Sequence, residues 1–233
     1  MQIDYDKIWK NKWGGPQDMG PTHAHSRRLA IKMISGLDFS NILDVGCGNG
    51  KNLEFLKSKF PKLQYSGVDI SEEALGEARK RLPEASFYRL DVEKECLDRT
   101  FDIIYSSDVV EHLQDDEAAL ANIYKMTNKY LLVGTLQGRM RNFEKNIGHV
   151  RNYAPGELER KIEGAGFRIL KKTEWGFPFY SPLYRNILDI GGVNDMTGGR
   201  PGPMKRIISL LIYFLFFFNS SKKGDIIYIL AAK

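Results

Sequence analysis

One short stretch, ILDVGCGNG at residues 42–50, constrains the fold more than any other part of the sequence. An apolar run leads directly into three glycines at alternate positions, and a helical pattern follows them. Glycine lets the backbone adopt positive φ angles and approach a ligand closely, and the start of the next helix offers unpaired N–H groups. The stretch predicts a tight strand-to-helix turn that holds a nucleotide-like ligand, although such glycines also occur for packing alone.

Short apolar runs alternate with amphipathic segments on both sides of this turn. The alternation predicts βαβ units, a mostly parallel sheet and helices on both of its faces. Five parallel strands are predicted at Asn41–Val45, Gln64–Asp69, Ser86–Leu90, Phe101–Ser106 and Tyr130–Thr135. Helices are predicted at Lys51–Phe60, Glu72–Leu82 and Asp116–Thr127, the last two capped by Ser71 and Asp115.

The second half of the chain follows a different pattern. Residues 137–152 are polar and basic without periodicity, and residues 155–164 indicate a short helix. Two further strands, Phe167–Trp175 and Asp225–Ala232, are expected as an antiparallel pair at the sheet edge, which brings the sheet to seven strands. The long insertion between them is rich in aromatic residues, and insertions on a rigid sheet usually carry function.

The composition fits a single globular domain of 233 residues with 42% hydrophobic and 27% charged residues. Two cysteines without a CxxC pair are consistent with a reducing compartment, and the polar, aromatic N-terminus indicates a cytoplasmic protein. The net charge of +5 is spread over short clusters without an RNA-binding motif, so nucleic acid is not an expected partner. No metal site is expected, because His23 and His25 lack acidic partners nearby.

Two aromatic or apolar segments leave alternatives open. Three large aromatic residues recur at helical spacing near the N-terminus, namely Tyr5, Trp9 and Trp13. They are interpreted either as a stripe that packs in the core or as a lid over a bound ligand. The apolar run Ile207–Phe218 is too short to cross a bilayer. A buried or half-buried helix of the domain is the leading interpretation of this run, and contact with a lipid surface is the alternative.

Carboxylates follow the next two strands after the glycine turn. Asp69 ends the second predicted strand, where a carboxylate can accept hydrogen bonds from both ribose hydroxyls. Asp91 follows the third strand and is placed to accept from an exocyclic amine. Three successive strand ends thus direct polar groups toward one crevice, where open α/β sheets bind their ligands.

The motifs ILDVGCGNG, GVDIS, LDV and FDIIYSSDVVEHL, in this order, resemble the class I methyltransferases that use S-adenosylmethionine. The resemblance is greatest to the methyltransferase type 11 group, related to the ubiquinone-pathway enzymes, and is close over residues 40–135. It implies a Rossmann-like fold with an antiparallel edge strand, cap helices over 1–38, a cofactor-binding core over 39–136 and substrate-side elements over 137–233. It also implies S-adenosylmethionine as cofactor, contacted by Arg28, Asp44, Gly46, Cys47, Gly48, Asp69, Ile70, Asp91, Val92, Ser107 and His112.

Methyl transfer depends mainly on positioning, and a general base adds a smaller factor. His149 is the first candidate for that base, with His112, Asp108 and Tyr153 as alternatives, because imidazoles and buried carboxylates titrate in a useful range. Arg151, Tyr153 and Trp175 are predicted to bind the acceptor. The loop cations Arg139, Arg141, Lys145 and Arg151 are either a solvated face or a site for an acceptor carboxylate or phosphate.

The leading functional hypothesis is methylation of an oxygen or nitrogen on a small-molecule acceptor. A lipid-linked or membrane-associated acceptor, with the Ile207–Phe218 run at the bilayer interface, is the second hypothesis. RNA methylation and a non-catalytic cofactor-binding role are less favoured. The oligomeric state does not follow from the sequence.

Overall fold

The computed structural model describes residues 6, 9, 20–191 and 203–233. Its centre is a seven-stranded sheet with the strand order β3-β2-β1-β4-β5-β7-β6. The strands are β1 Asn41–Val45, β2 Gln64–Asp69, β3 Ser86–Arg89, β4 Phe101–Ser107, β5 Thr127–Leu136, β6 Arg168–Trp175 and β7 Ile226–Ala232. The prediction of a mostly parallel seven-stranded α/β sheet is confirmed.

Eight α-helices surround this sheet within the described residues. They are α1 Pro21–Ile34, α2 Lys51–Lys59, α3 Glu72–Arg81, α4 Asp116–Met126, α5 Asn142–Asn146, α6 Glu157–Gly164, α7 Arg185–Gly191 and α8 Pro203–Leu215. The side chains of Ser71 and Asp115 accept hydrogen bonds from Ala74 N and Ala118 N, at 3.2 Å and 2.9 Å. Both residues therefore cap their helices as predicted.

Strands β1 to β5 are all parallel, and the chain's last strand, β7, is antiparallel to both β5 and β6. The antiparallel strand therefore lies one position inside the sheet, and β6 forms the edge. The order reverses between β1 and β4, where the chain crosses from one side of the sheet to the other. Such a reversal opens a crevice at the carboxyl ends of the two strands.

Each face of the sheet carries its own hydrophobic core, because neighbouring strand residues point to opposite sides. Ile42 on one face packs with buried residues of α1, α2 and α3. Leu43 on the other face packs with buried residues of α4 and α6. The sheet is thus the middle of three layers, and its strand ends are held rigidly.

The apolar run Ile207–Phe218 is helical and only partly buried. It forms the last three turns of α8 and a 3-10 turn, and of its side chains only Phe216 is buried. Leu211 is 64% exposed and Phe218 is 76% exposed. The run is therefore a half-buried helix, which packs one side on α1 and leaves the other side exposed. No helix among the described residues has the length and apolarity to cross a membrane.

Candidate functional site

A cleft opens at the carboxyl ends of β1, β2 and β4, where the strand order reverses. It encloses about 670 Å³ of empty volume, including its open mouth. Its described lining residues include four carboxylates and one imidazole but no lysine or arginine. These residues are Trp9, Val45, Gly46, Val68, Asp69, Ile70, Leu90, Asp91, Val92, Glu93, Asp108, Val109, His112 and Leu113. An acidic, partly apolar cleft attracts a cationic ligand that carries a flat ring.

The glycine turn forms the floor of this cleft. Gly46 has a φ of 73°, and a Cβ built there would lie 2.3 Å from Cγ2 of Val109. The N–H groups of Gly46 and Cys47 both donate to the carbonyl of Val68, which folds the turn back onto β2. Only glycine fits at position 46, because the backbone is left-handed and the side-chain space is filled.

Asp69 is fixed at the end of β2 by backbone donors. Gly48 N donates to Oδ2 at 2.8 Å, and Ser71 N donates to Oδ1 at 2.9 Å. Burial raises the pKa of this carboxyl, and the backbone hydrogen bonds oppose that rise. Asp69 therefore ties the glycine turn to the second strand end while lining the cleft.

Asp44 lies under the glycine turn, fully buried, and neither of its carboxylate oxygens has a hydrogen-bond partner in the described structure. Burial, and the charge of Asp69, raise the pKa of Asp44 well above its usual range. A buried carboxylate without a donor is costly. Asp44 does not line the cleft but supports the glycine turn from beneath.

The far end of the cleft suits a ring. Ile70, Leu90 and Val92 supply apolar walls, and the indole-bearing residue Trp9 also lines this space. Asp91 follows β3, and its Oδ2 accepts from Lys94 Nζ at 2.6 Å. The role of Trp9 as a lid or core residue stays a prediction, and Tyr5 and Trp13 lie outside the described residues.

Asp108 and His112 border the cleft just after β4. Asp108 has a φ of 58°, and its Oδ2 lies 3.6 Å from Nδ1 of His23 on α1. Burial raises the pKa of Asp108, but His23 and His149 together lower it below its usual value. Burial, and to a smaller degree His149, lower the pKa of His112 to about 4. His112 is therefore neutral near pH 7.

Two more ionisable residues lie directly behind His112. The ring of His149 is 4.7 Å from that of His112, and its Nδ1 lies 3.2 Å from Oδ1 of Asn152. Glu111 is fully buried, and its Oε2 accepts from Thr135 Oγ1 at 2.7 Å. One donor atom from each of Glu111, His112 and His149 lies within 4.8 Å of the others. The expectation that the chain binds no metal was drawn from His23 and His25 and did not consider this cluster, so it stays a prediction.

Seven of the predicted cofactor and catalytic residues line the cleft, namely Gly46, Asp69, Ile70, Asp91, Val92, Asp108 and His112. Asp44, Cys47, Gly48 and Ser107 are buried just behind the lining. Cys47 packs against Gly67, where an added Cβ would lie 2.7 Å from its Sγ. Ser107 Oγ lies 2.9 Å from Tyr228 Oη. These four residues shape the floor and the wall of the cleft.

Two residues that were predicted to contact a ligand, one on α1 and one on β6, have their side chains away from the cleft lining. Arg28 lies over the Phe217 ring at 4.1 Å, and its Nη1 is 2.8 Å from Nδ1 of His25. It faces the α8 region and does not line the cleft. Trp175 is buried, stacked with His25 and Tyr180, so it belongs to the core and cannot bind an acceptor directly.

The loop residues expected to bind the acceptor are instead structural. Tyr153 is buried, and its hydroxyl donates to Asp116 Oδ2 at 2.8 Å. Burial raises its pKa, which removes it as a general base. Arg151 donates to the carbonyls of Leu113 and Gln114 at 2.5 Å and 2.9 Å. These contacts tie the loop after β5 to the start of α4.

Arg141 is likewise an internal residue. It is buried, its Nε donates to Asn186 Oδ1 at 3.0 Å, and its Nη1 lies 3.6 Å from Asp225 Oδ2. Arg139 and Lys145 are exposed. Some basic residues of this loop therefore form internal contacts, and others lie on the solvent-exposed surface.

Sequence reasoning missed His23 and Glu111. In the sequence His23 stands out only as one of two nearby histidines, whereas in the structure α1 places its ring beside Asp108. Glu111 lies in the motif FDIIYSSDVVEHL next to His112, among apolar residues. A carboxylate in an otherwise apolar stretch is the signal that could have indicated a buried functional group.

The strand order and the cleft together define the fold of the class I methyltransferases. Residues 43–129 match the family model described as a methyltransferase domain. Two solved structures with this fold are a possible histamine N-methyltransferase from Thermotoga maritima and the N-methyltransferase NodS from Bradyrhizobium japonicum. The first has 21% identity and a TM-score of 0.61, covering 91% of this chain and 90% of that one. The second has 16% identity and a TM-score of 0.64, with coverages of 97% and 95%.

Curated relatives share the core of the sequence. A trans-aconitate 2-methyltransferase from Azoarcus sp. is 25% identical over 152 residues, which cover 64% of this chain and 59% of the relative. A malonyl-[acyl-carrier protein] O-methyltransferase from Bacillus anthracis is 30% identical over 107 residues, covering 42% and 40%. The chain thus matches less than two thirds of the length of these relatives. Over residues 43–129 the chain is similar to a methyltransferase domain, and the curated relatives that it matches are named as methyltransferases.

Proposed function

We propose that this protein transfers a methyl group from S-adenosylmethionine to an oxygen of a small-molecule acceptor. The observation that carries this proposal is one cleft lined by Gly46 of the glycine turn, by Asp69 and Asp91, and by Asp108 and His112. We assign the space beside Asp69 and Asp91 to the cofactor and the space beside Asp108 and His112 to the acceptor.

The residues present fit the cofactor. We assign Asp69 to the ribose and Asp91 with Val92 to the adenine, because these residues line the cleft, and Asp44 supports the glycine turn from beneath. When bound, S-adenosylmethionine supplies an electrophilic methyl group on a sulfonium. The four carboxylates of the lining favour that cation electrostatically.

The acceptor is held beside Asp108 and His112. Positioning two reactants in line accounts for most of the acceleration, about 7–11 kcal/mol, and proton removal by a base adds about 10²- to 10⁴-fold. Asp108 and neutral His112 face this space, whereas His149 lies behind His112. We therefore assign proton acceptance from the acceptor to Asp108 or His112, with His149 supporting His112.

The two solved structures are named N-methyltransferases, but the two curated relatives, which match in sequence, favour oxygen over nitrogen. One is named for trans-aconitate and one for a malonyl group on a carrier protein, and both names describe acids. An acidic acceptor of this kind presents a carboxylate or hydroxyl oxygen to the methyl donor. Since no described lysine or arginine lines the cleft, an acidic acceptor needs another source of positive charge here.

Calorimetric titration with S-adenosylmethionine and its demethylated product tests the cofactor site. We expect micromolar binding that Asp69→Ala weakens by at least about 100-fold, because the turn loses its carboxylate anchor. Asp98→Ala, which changes an exposed aspartate, is the matched control and should bind as the wild type does. Failure of the folded wild-type protein to bind either compound would overturn the proposal.

A panel of small di- and tricarboxylic acids and hydroxy acids then tests the acceptor. We expect the demethylated cofactor to form only with an oxygen acceptor, and Asp108→Asn to lower kcat more than the cofactor affinity. Methylation confined to amines would show that the acceptor atom is nitrogen.

A second candidate is an acceptor carried on a lipid surface, favoured by the exposed apolar face of α8. Ile207, Leu211 and Phe214 are each more than half exposed, and Ile190 of α7 is 89% exposed. Exposed cations flank this face at Arg206, Lys222 and Lys223. Apolar faces with basic flanks bind anionic bilayer interfaces. α1 joins this face to the cleft, since it carries His25 against Tyr213 and His23 against Asp108.

Co-sedimentation with vesicles distinguishes the two candidates. Under the lipid hypothesis, the protein pellets with phosphatidylglycerol vesicles but not with phosphatidylcholine vesicles, and Leu211→Ser with Phe214→Ser abolishes this. Leu170→Ser, at a 40% exposed leucine on β6, is the control. A wild-type protein that stays in the supernatant with both vesicles excludes the lipid hypothesis.

A further inference from the structure

We propose that Glu111, His112 and His149 form a binding site for one divalent transition-metal cation, such as Zn²⁺ or Mn²⁺, at the acceptor end of the cleft. One donor atom from each residue lies within 4.8 Å of the others, so small side-chain movements bring all three to the distances of about 2.0–2.2 Å at which one ion is bound. The role of this ion in holding the acceptor rests on the proposed function. Ion binding itself does not.

The donor set selects the class of ion. Two imidazoles and one carboxylate suit zinc, manganese and iron, whereas magnesium and calcium prefer oxygen donors alone. Three protein ligands leave coordination positions open, as in catalytic rather than structural sites. The site therefore has room for an oxygen of a further molecule.

Glu111 provides an independent indication of a ligand. Its side chain is 0% exposed, and while Oε2 accepts from Thr135, Oε1 has no partner in the described structure. A buried carboxylate oxygen without a donor is costly. The nearby buried carboxylate Glu144 differs, because Arg185 pairs with it. A cation bound at the cluster would pair with Glu111 as Arg185 pairs with Glu144.

The two imidazoles are oriented for coordination. Asn152 Oδ1 lies 3.2 Å from Nδ1 of His149, so a proton on Nδ1 leaves the lone pair of Nε2 for an ion. The Gly148 backbone makes a hydrogen bond to the ring of His112. Partners of this kind fix the tautomer and the ring orientation of metal-ligating histidines.

The cluster also lies at the right place to contact an acceptor. His112 belongs both to the cluster and to the cleft lining, so the open positions of an ion adjoin the cleft. The described lining otherwise offers four carboxylates and no lysine or arginine to an acidic acceptor. An ion here supplies the positive charge that binds a carboxylate or hydroxyl oxygen of that acceptor.

The first test uses the whole, tag-free protein after treatment with a chelator and dialysis. We expect calorimetric titration with Zn²⁺ alone to show one ion per chain, and Co²⁺ to give visible absorption bands from a site with nitrogen and oxygen ligands. Glu111→Gln keeps the shape of the side chain and should weaken Zn²⁺ binding by at least about tenfold. His149→Ala should do the same. His23→Ala, which changes a histidine near the cleft but outside the cluster, should leave Zn²⁺ binding unchanged.

The inference is overturned if the wild type binds no stoichiometric Zn²⁺ or Mn²⁺, or if both cluster variants bind the ion as the wild type does. Titration of each variant with the demethylated cofactor keeps the outcomes distinct. Cofactor binding without ion binding refutes the metal site and leaves the proposed function standing. Ion binding without cofactor binding supports the metal site and overturns the proposed function. Unchanged circular dichroism of Glu111→Gln shows that the variant is folded.

Discussion

The two halves of the molecule distribute polar and apolar residues in opposite ways. In residues 39–136, carboxylates lie at strand ends and face an open cleft, as Asp69 and Asp91 do. In residues 137–233, Arg185 is fully buried and Leu211 is 64% exposed. The first half thus offers its charges to a ligand, whereas the second half uses them internally and exposes apolar surface.

This difference shows that charge in the sequence has two structural meanings. Arg185 pairs with Glu144 and Asp225, and its Nη2 also donates to the carbonyl of Arg139 at 3.2 Å. This network joins α7 to the loop after β5 and to the start of β7. Some basic residues in this half, such as Arg185, stabilise the fold by internal pairing, so charge alone does not assign a basic residue to acceptor binding.

The largest expected effect is at Arg185. Arg185→Met leaves Glu144 buried without its cation, so the free energy of unfolding should fall by about 3–5 kcal/mol in urea denaturation. Lys172→Met is the control, because Lys172 is 40% exposed in its pairs with Glu159 and Glu174 and should change stability by about 0–1 kcal/mol. Equal effects of the two variants would remove the distinction between internal and surface charge.

Gly46→Ala tests the turn of the first half. We expect a loss of about 3 kcal/mol in unfolding free energy and weaker cofactor binding, from overpacking against Val109 and from the left-handed φ. Adding Val109→Ala should restore part of the loss, since it removes the clash but not the backbone strain. Gly76→Ala makes the same change in α3 where a Cβ meets nothing within 4 Å, and should stabilise the protein slightly.

Arg151→Gln tests whether the loop cations are structural. Its guanidinium binds two carbonyls and lies 3.3 Å from Asp116, so we expect a loss of about 1.5 kcal/mol in unfolding free energy. The acceptor KM should change less than about twofold relative to Arg139→Gln, which alters an exposed arginine of the same loop. A large rise in KM without a loss of stability would assign Arg151 to the acceptor after all.

Ser71→Ala gives the smallest effect. Its hydroxyl caps α3 through Ala74 N and also donates to Asp6 Oδ1 at 2.6 Å, so the variant should lose about 1 kcal/mol in urea denaturation. Ser71→Thr keeps the hydroxyl and should lose less. If both substitutions cost the same, the cap does not contribute to the stability of this half.

The fold and much of the cleft were predictable because their signals are local. The alternation of apolar runs and amphipathic segments predicted five strands, which the structure contains. The polar residues at or after the ends of these strands predicted that Asp69, Asp91 and His112 lie in the cleft. The errors concern residues whose partners are distant in sequence. The position of Arg28 depends on its contact with Phe217 after α8. The role of Tyr153 depends on its hydrogen bond to Asp116, 37 residues away.

What the sequence alone determined is the cofactor half: the parallel sheet, the glycine turn and the carboxylates at the strand ends. These follow from periodicity and from the rule that parallel strands end at a common edge. Only the tertiary structure decided that Arg185 and Arg141 are internal, that α8 is exposed, and that Glu111 meets His112 and His149. The physical reason is that burial and charge pairing depend on packing between elements far apart in the chain, which no local pattern encodes.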